Sequence, residues 1–362
     1  MGKTTEEREK EMKKDLSIII PFAGEYPQAI FTIQAIAQSL IGKLDFEIIA
    51  VNNMCSELTN QWDNLKVKSL RKANNRTFSK EVVSDIIDML PPQMNDRAGE
   101  AIKASAKGNE WLTYMEFKDR LSHWECKRLA CKQAKADTFL FIDAHCIPSL
   151  GIDEMYRSYH SPVQTSNGYE NFDYSEMGTM HMPLTYKILE WHRLIYKMAI
   201  DNEFYGYSFT PFREPNAYND PYEVPVMSTC GMMISRAVYE CVGGWPKGMY
   251  AYGGGENFMN YALSVTGKRK WIYPGVTCHH HGDRRDYHYT YDGTLINRLL
   301  AHYLFGGFDK LRKLASVSKG DPDAVKSFVH QILSSEVHKV HRDIIKENAN
   351  YDLDIWADKW RD

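Results

Sequence analysis

The sequence predicts an α/β fold: a mostly parallel sheet flanked by helices, with a helical extension at the C-terminal end. Three observations carry that reading. Phe139, Leu140, Phe141 and Ile142 form an apolar run with no polar alternate, which suits a strand covered on both faces. Near the start, LSIIIPF (Leu16 to Phe22), an apolar-spaced stretch from Ala29 to Ile41 and FEIIAVNN (Phe46 to Asn53) read strand, helix, strand. That order implies a parallel pair joined by a right-handed crossover. From Thr294 onward the chain reads as helical to its end.

The remaining elements follow in order. Residues 1–14 are a mixed charge run, and the first strand begins directly after it. Beyond the second strand, LKVKSL (Leu65 to Leu70) reads as a third and EVVSDIIDML (Glu81 to Leu90) as a helix stopped by Pro91 and Pro92. WLTYMEF (Trp111 to Phe117) is strand-like, and Asp119 to Ala136 is a helix leading into the Phe139 run. Between Ser161 and Pro225 the pattern gives way to an aromatic, Asn- and Pro-rich region around one expected helix, Leu184 to Ile200. A long irregular segment in a compact domain usually covers a site or binds something. VPVMSTCGMMI (Val224 to Ile234) returns to strand character. A short helix, the run GGGEN, another helix and KWIYPGV (Lys270 to Val276) follow. The expected division is a charged leader (1–14), a catalytic α/β domain (15–290) and a helical extension (291–362).

Bulk properties exclude several classes. The 362 residues are 43% hydrophobic, enough for a substantial core, and the net charge of −3 supplies no global field that would announce a polyanion partner. Neither a signal-peptide core nor an uninterrupted run of eighteen apolar residues occurs, so the expectation is a cytoplasmic protein without membrane insertion. Seven cysteines, at 55, 126, 131, 146, 230, 241 and 278, form no CxxC pair, which suits reduced packing thiols.

The chemistry gathers where strands end. In open α/β sheets ligands bind at the carboxyl ends of the strands, and there stand Asp143 and His145, two apart and therefore on one side of an extended segment. A carboxylate with an imidazole suits Mn²⁺ and its neighbours; the competing reading is a turn in which Asp143 caps backbone amides. TCHHHGD (Thr277 to Asp283) follows another expected strand, and one of its three histidines can complete a site with Asp143 and His145. YGGGENFMNYAL (Tyr252 to Leu263) places glycines before a helix whose first turn carries Glu256 and Asn257. It lacks the Lys-Ser/Thr tail of a phosphate loop and the G-x-G-x-x-G spacing, so Glu256 reads as an acceptor of hydroxyl hydrogen bonds.

Taken in order, SIIIPF, EIIAVNN, RLACKQAKADTFLFIDAHC (Arg128 to Cys146), MSTCGMMISRAVYECVGGW (Met227 to Trp245), YGGGEN and VTCHHHGD resemble the GT-A glycosyltransferases. The likeness is to the large family 2 and, among its wider relatives, the polypeptide N-acetylgalactosaminyltransferases. It spans roughly residues 16–285 and implies a Rossmann-like mixed sheet that binds a nucleotide-diphosphate sugar, a UDP-sugar by expectation. It also implies a metal, Mn²⁺ or Mg²⁺, on Asp143, His145 and His280, with His279 and His281 as neighbours. The donor-binding positions it implies are Pro21, Phe22, Glu25, Asn52, Asn53, Arg128, Asp143, Ala144, Gly231 and Gly255. Glu256, Asn257 and Asp143 are the implied catalytic residues.

Two departures stand out. Asn52 and Asn53 occupy the place where many relatives carry an acidic pair that reads uracil. Asn257 stands where inverting family 2 enzymes commonly place the aspartate base, and an amide takes no proton. This leans toward retention of configuration unless Asp283, Asp286 or a residue of the irregular segment serves as base. For the acceptor, the expectation is a nucleic acid, such as a hydroxymethylated pyrimidine in DNA. The basic residues Lys66, Lys68, Arg71, Lys72, Arg76, Lys268, Arg269, Lys270, Arg284 and Arg285, with aromatics Tyr205, Tyr207, Phe209 and Phe212, motivate it. A cell-surface saccharide or other glycan is the alternative. A non-catalytic nucleotide-sugar binding module is a competing class, as is a nucleotidyltransferase, although PFAGEYPQ lacks the basic, glycine-rich loop the latter normally carries.

Overall fold

The computed structural model describes residues 13–54, 96–119, 121–161, 176–186, 194–201, 204–211, 221–281 and 291–360. The chain begins with β1 (Leu16–Phe22), α1 (Gln28–Leu40) and β2 (Phe46–Asn52), then α2 (Arg97–Ala106), β3 (Leu112–Glu116), α3 (His123–Gln133) and β4 (Thr138–Phe141). These strands lie in an eight-stranded sheet. β1 pairs in parallel with β2 on one side and β4 on the other, and β3 pairs in parallel with β2. The other half of the sheet holds β6 (Met177–His181), β10 (Tyr222–Val224), β11 (Met232–Ser235) and β12 (Arg269–Ile272), in the order β10-β12-β6-β11-β4-β1-β2-β3. Only β11 and β10 run against the rest, since β11 is antiparallel to β4 and β6, and β10 to β12.

Burial accounts for the apolar strands. Every residue of β1, β2 and β4 is buried; each Leu, Ile or Phe so placed contributes about 1.5–3 kcal/mol relative to exposure. Ser17 and Glu47, two of the buried polar residues there, satisfy one another through a 2.6 Å hydrogen bond from the serine hydroxyl to the carboxylate across β1 and β2. Ser122 caps α3 by accepting from the Glu125 amide (3.0 Å), so this helix begins at His123 rather than at Asp119 as the sequence suggests.

A second, five-stranded sheet has the order β5-β13-β7-β8-β9. It comprises β5 (Cys146–Pro148), β7 (Leu184–Thr185), β8 (Leu194–Asp201), β9 (Phe204–Pro211) and β13 (Cys278–His280). The helix expected over Leu184–Ile200 is therefore a correction: β8 pairs antiparallel with β9 along its whole length, from Leu194↔Pro211 to Asp201↔Phe204. Its apolar residues recur in a ladder, where cross-strand partners override helical spacing. The strand expected over Val224–Ile234 is likewise split between β10 and β11. The expected strand Leu65–Leu70 and helix Glu81–Leu90 lie outside the described residues.

Helices complete the fold: α4 (Ile152–His160), α5 (Arg236–Cys241), α6 (Gly255–Val265), then α7 (Tyr291–Val317), α8 (Pro322–Ser334), α9 (Glu336–Asn348) and α10 (Leu353–Asp358). Leu295, Leu299, Leu300, Leu304 and Phe305 of α7 share one hydrophobic core with the sheet. Among the described residues no helix is long and apolar enough to cross a membrane.

Candidate active site

β1, β2 and β4 deliver their carboxyl ends to one cavity. Pro21, Phe22, Ala23, Glu25 and Asn53 line it from β1 and β2, Asp143, Ala144 and His145 from the turn after β4, and His123 and Trp124 from the start of α3. Ser228, Thr229, Tyr252 and Glu256 close one side, and Leu184, Tyr186, Tyr207 and His280 come from the second sheet.

The register of β13 selects the histidine. Antiparallel pairing sets His280 opposite Cys146, the residue after His145, while His279 stands opposite Ile147 and faces the other way. His281 contributes backbone, donating its amide to the His145 carbonyl (2.9 Å). His145 and His280 thus meet Nε2 to Nε2 at 3.2 Å. Ligand atoms of Asp143, His145, Cys146 and His280 all lie within 4.8 Å of one another. Two imidazole nitrogens this close, beside a carboxylate, fit a shared cation, because adjacent ligand atoms around a six-coordinate ion with bonds near 2.1 Å stand about 3 Å apart. Asp143 Oδ1 is buried and makes no hydrogen bond among the described residues, which leaves it a lone pair for an ion.

Neighbours hold these groups in place. Thr32 on α1 donates its hydroxyl to the Ala144 carbonyl (2.9 Å) and fixes the turn between the two ligands. Glu25 places Oε1 3.8 Å from His145 Nδ1 and accepts from the Ala23 amide, so it orients the imidazole from behind, as carboxylates do for metal-binding histidines. Asp143 Oδ1 lies 3.6 Å from both His123 Nε2 and Lys127 Nζ. Burial alone would raise the Asp143 pKa, but the charges of Lys127, His123, His145 and His280 hold it well below the usual carboxylate range, in the ionised form a cation needs. For His145 burial pulls the pKa down; the Glu25 hydrogen bond and the Asp143 charge outweigh it and raise it.

The other expected site residues make these contacts. Asn52 is buried, with its amide on the Asp96 carboxylate and the Tyr114 hydroxyl (2.8 Å). Asn53 borders the cavity, yet it is tied to Leu121 through both backbone groups, at 2.9 and 3.1 Å. Arg128 forks onto Glu125 and lines a different groove, with Arg236, Tyr239 and Val340. Asn257 is buried with its amide on the Tyr205 carbonyl (2.7 Å). Gly231 (φ +75°) donates to the Phe141 carbonyl (2.8 Å), and an added Cβ would lie 3.0 Å from that of Met182. At Gly255 a Cβ would fall 2.2 Å from the Trp124 ring, so that glycine answers to the indole. Glu256 does face the cavity, accepting from the Thr229 hydroxyl (2.9 Å).

Sequence reasoning missed Lys127, His123 and Cys146. Lys127 is fully buried among the rings of Trp124, Phe141 and Trp245, at 5.2, 5.7 and 5.5 Å. Its signal was present: Trp124, Lys127 and Cys131 recur at helical spacing, so the lysine sits in an apolar stripe. Of the basic residues that motivated a nucleic acid, Arg269 pairs with Glu223 (2.7 Å) and Lys270 is buried with Nζ on the Ser264 hydroxyl (2.7 Å). Lys66, Lys68, Arg71, Lys72, Arg76, Arg284, Arg285, Asp283 and Asp286 lie outside the described residues. Tyr205 is a core residue bonded to Asp354 and Lys310, whereas Tyr207 lines the cavity.

Strand order and mostly parallel pairing make a mixed α/β sheet whose carboxyl edge carries the Asp143–His145 turn, a fold of the GT-A kind, as in the solved structure it resembles. Among solved structures the chain is similar to that of GalNAc-T7 with UDP, GalNAc and Mn²⁺, with a TM-score of 0.55 at 12% identity. The alignment covers 93% of this chain and 57% of that one, so the chain spans little more than half of its neighbour's length. A second similar structure is S. aureus TarS 1–349, at TM-score 0.41 and 9% identity over 88% of this chain and 70% of that one. No protein-family model and no curated protein matches the sequence.

Proposed function

We propose that the chain is a glycosyltransferase that moves a sugar from a nucleotide-diphosphate sugar, a UDP-sugar by preference, to an acceptor hydroxyl. Asp143, His145 and His280 hold a divalent cation, Mn²⁺ or Mg²⁺. The observation that carries this reading is the convergence of those three ligands, from strands 135 residues apart, on one cavity at the sheet's carboxyl edge. Bound there, the ion supplies neutralisation of charge that grows on the diphosphate as the sugar bond breaks.

The chain's own groups divide the remaining tasks. Lys127 and His123 keep Asp143 ionised from the buried side, and Glu25 keeps the His145 ring turned toward His280. Asn257 serves as neither base nor acceptor contact, because its amide is committed to Tyr205. Glu256, steadied by Thr229, is the carboxylate we assign to the sugar or acceptor hydroxyl. Tyr186, Tyr207 and Tyr252 give the cavity aromatic faces on which a sugar or a base stacks. With Arg269 and Lys270 engaged within the fold, a hydroxymethylated DNA acceptor loses part of its electrostatic rationale, and a glycan acceptor is the second reading.

Hydrolysis of a panel of nucleotide sugars, with and without Mn²⁺, tests the proposal. Turnover should require the metal and fall at least about a hundredfold in the Asp143→Ala, His145→Ala double variant. Undiminished metal-dependent turnover in that variant refutes it. Hydroxymethylated DNA and glycan acceptors offered in parallel then separate the two acceptor readings.

A further inference from the structure

Beneath the Asp143–His145–His280 group lies a second cluster that the proposed reaction does not use. Cys146 opens β5, Cys278 opens β13, and Cys230 precedes the Gly231 turn into β11. Their exposures are 0%, 0% and 3%. The Sγ atoms of Cys230 and Cys146 are 3.4 Å apart, those of Cys230 and Cys278 3.8 Å, and all three sulfurs lie within 4.8 Å of one another. We propose that Cys146, Cys230 and Cys278 form a second metal site, a thiolate cage for a thiophilic divalent d¹⁰ cation of the Zn²⁺ or Cd²⁺ class.

Geometry and chemistry agree on this occupant. Metal–sulfur bonds near 2.3 Å place ligating sulfurs about 3.8–4.0 Å apart, close to the spacings seen, whereas a disulfide needs about 2.05 Å and would leave one of the three cysteines over. Softness separates the two sites: three sulfurs select a thiophilic ion, and a carboxylate with two imidazoles suits Mn²⁺. An outer partner is also in place, since the Asp143 amide points at Cys230 Sγ (3.5 Å), the kind of backbone donor that steadies a metal-bound thiolate. On binding, three S–H bonds break, three protons pass to solvent and three metal–sulfur bonds form, with no change of oxidation state. Because Cys146 adjoins His145 and Cys278 stands two before His280, the filled cage would brace both histidine-bearing strands from below.

The test uses the full chain, reduced, stripped of metal by a chelator and titrated with Cd²⁺. One strongly bound equivalent should appear with an intense sulfur-to-metal charge-transfer absorption. Cys230→Ser or Cys278→Ser alone should drop that absorption to about two thirds or less, and the two combined, which leave Cys146 alone, to about a third or less. An Asp143→Ala, His280→Ala variant and Cys241→Ser, which leave the cage intact, should retain it in full. Wild-type protein that gives no more than the single-thiolate signal, or is found by mass with a disulfide among these residues, overturns the proposal. The wild-type titration decides even where a serine variant fails to fold.

Discussion

Asn297 offers the sharpest test of how the cavity wall is held. It is fully buried on α7; its Oδ1 accepts from the Tyr250 amide (2.6 Å), and its Nδ2 donates to the carbonyls of Tyr250, Tyr252 and Gly253 at 3.1, 2.9 and 3.0 Å. Gly253 also accepts from the Trp124 indole (3.2 Å), so one side chain ties the glycine run to α3 and α7 together. Asn297→Ala removes one acceptor and two N–H donors. At about 1 kcal/mol net per hydrogen bond the loss is about 3 kcal/mol, before any cavity is counted. Asn297→Asp keeps the acceptor but turns a second, charged oxygen on three carbonyls, and an uncompensated buried charge costs about 3–5 kcal/mol. Chemical denaturation at alkaline pH should therefore rank wild type above Ala and Ala above Asp. Because Ala251 and Tyr252 line the cavity, donor affinity should fall in the same order. An Ala variant within about 1 kcal/mol of wild type, or an Asp variant at least as stable as Ala, would refute the reasoning.

Gly255→Ala sets a Cβ 2.2 Å from the Trp124 ring and should cost at least about 1–3 kcal/mol, with changed tryptophan fluorescence; full stability in that variant would mean α6 and α3 can part freely. Burial pushes His181 and His302 down to about 3 and His341 to about 4. The unfolded chain, with histidines near 6.5, then binds more protons than the folded one below that pH. Stability from these three residues is complete above about pH 6.5 and declines as pH falls toward 4, by up to about 1.4 kcal/mol per pH unit for each. Denaturation midpoints across that range should show a slope flattened by one proton in His341→Gln, and an unchanged slope would disprove the linkage. Chelation followed by Mn²⁺ addition should raise the thermal midpoint in wild type and leave the Asp143→Ala, His145→Ala variant where it was.

Much of this was legible because burial on both faces leaves a plain mark: Phe139–Ile142 has no polar alternate and Leu16–Phe22 only Ser17, and the structure makes strands of Leu16–Phe22 and Thr138–Phe141. The extended segment expected for Asp143 and His145 is a correction: a turn, closed by the Cys146 amide on the Asp143 carbonyl (3.0 Å), brings the two side chains together, so period two does not account for their pairing. What failed depended on partners distant in sequence. Whether Leu194–Asp201 is a helix or a strand is decided by its ladder with Phe204–Pro211, which periodicity does not report. Arg128 and Lys127 differ by one position, about 100° around α3, and that rotation turns the lysine to Asp143 and leaves the arginine on Glu125. Gly255, in the run with Gly254, is a donor-binding position by resemblance. Their neighbours are the Asn297 backbone and the Trp124 ring, contacts that only the folded chain assembles.

The histidine pair has a mechanical consequence. His145 and His280 stand 135 positions apart in the chain, yet their ring nitrogens nearly touch. An ion shared between them acts as a staple that closes a very long loop, and a staple removes more freedom from the unfolded chain the longer the loop it shuts. Occupancy of the site and integrity of the smaller sheet should therefore rise and fall together.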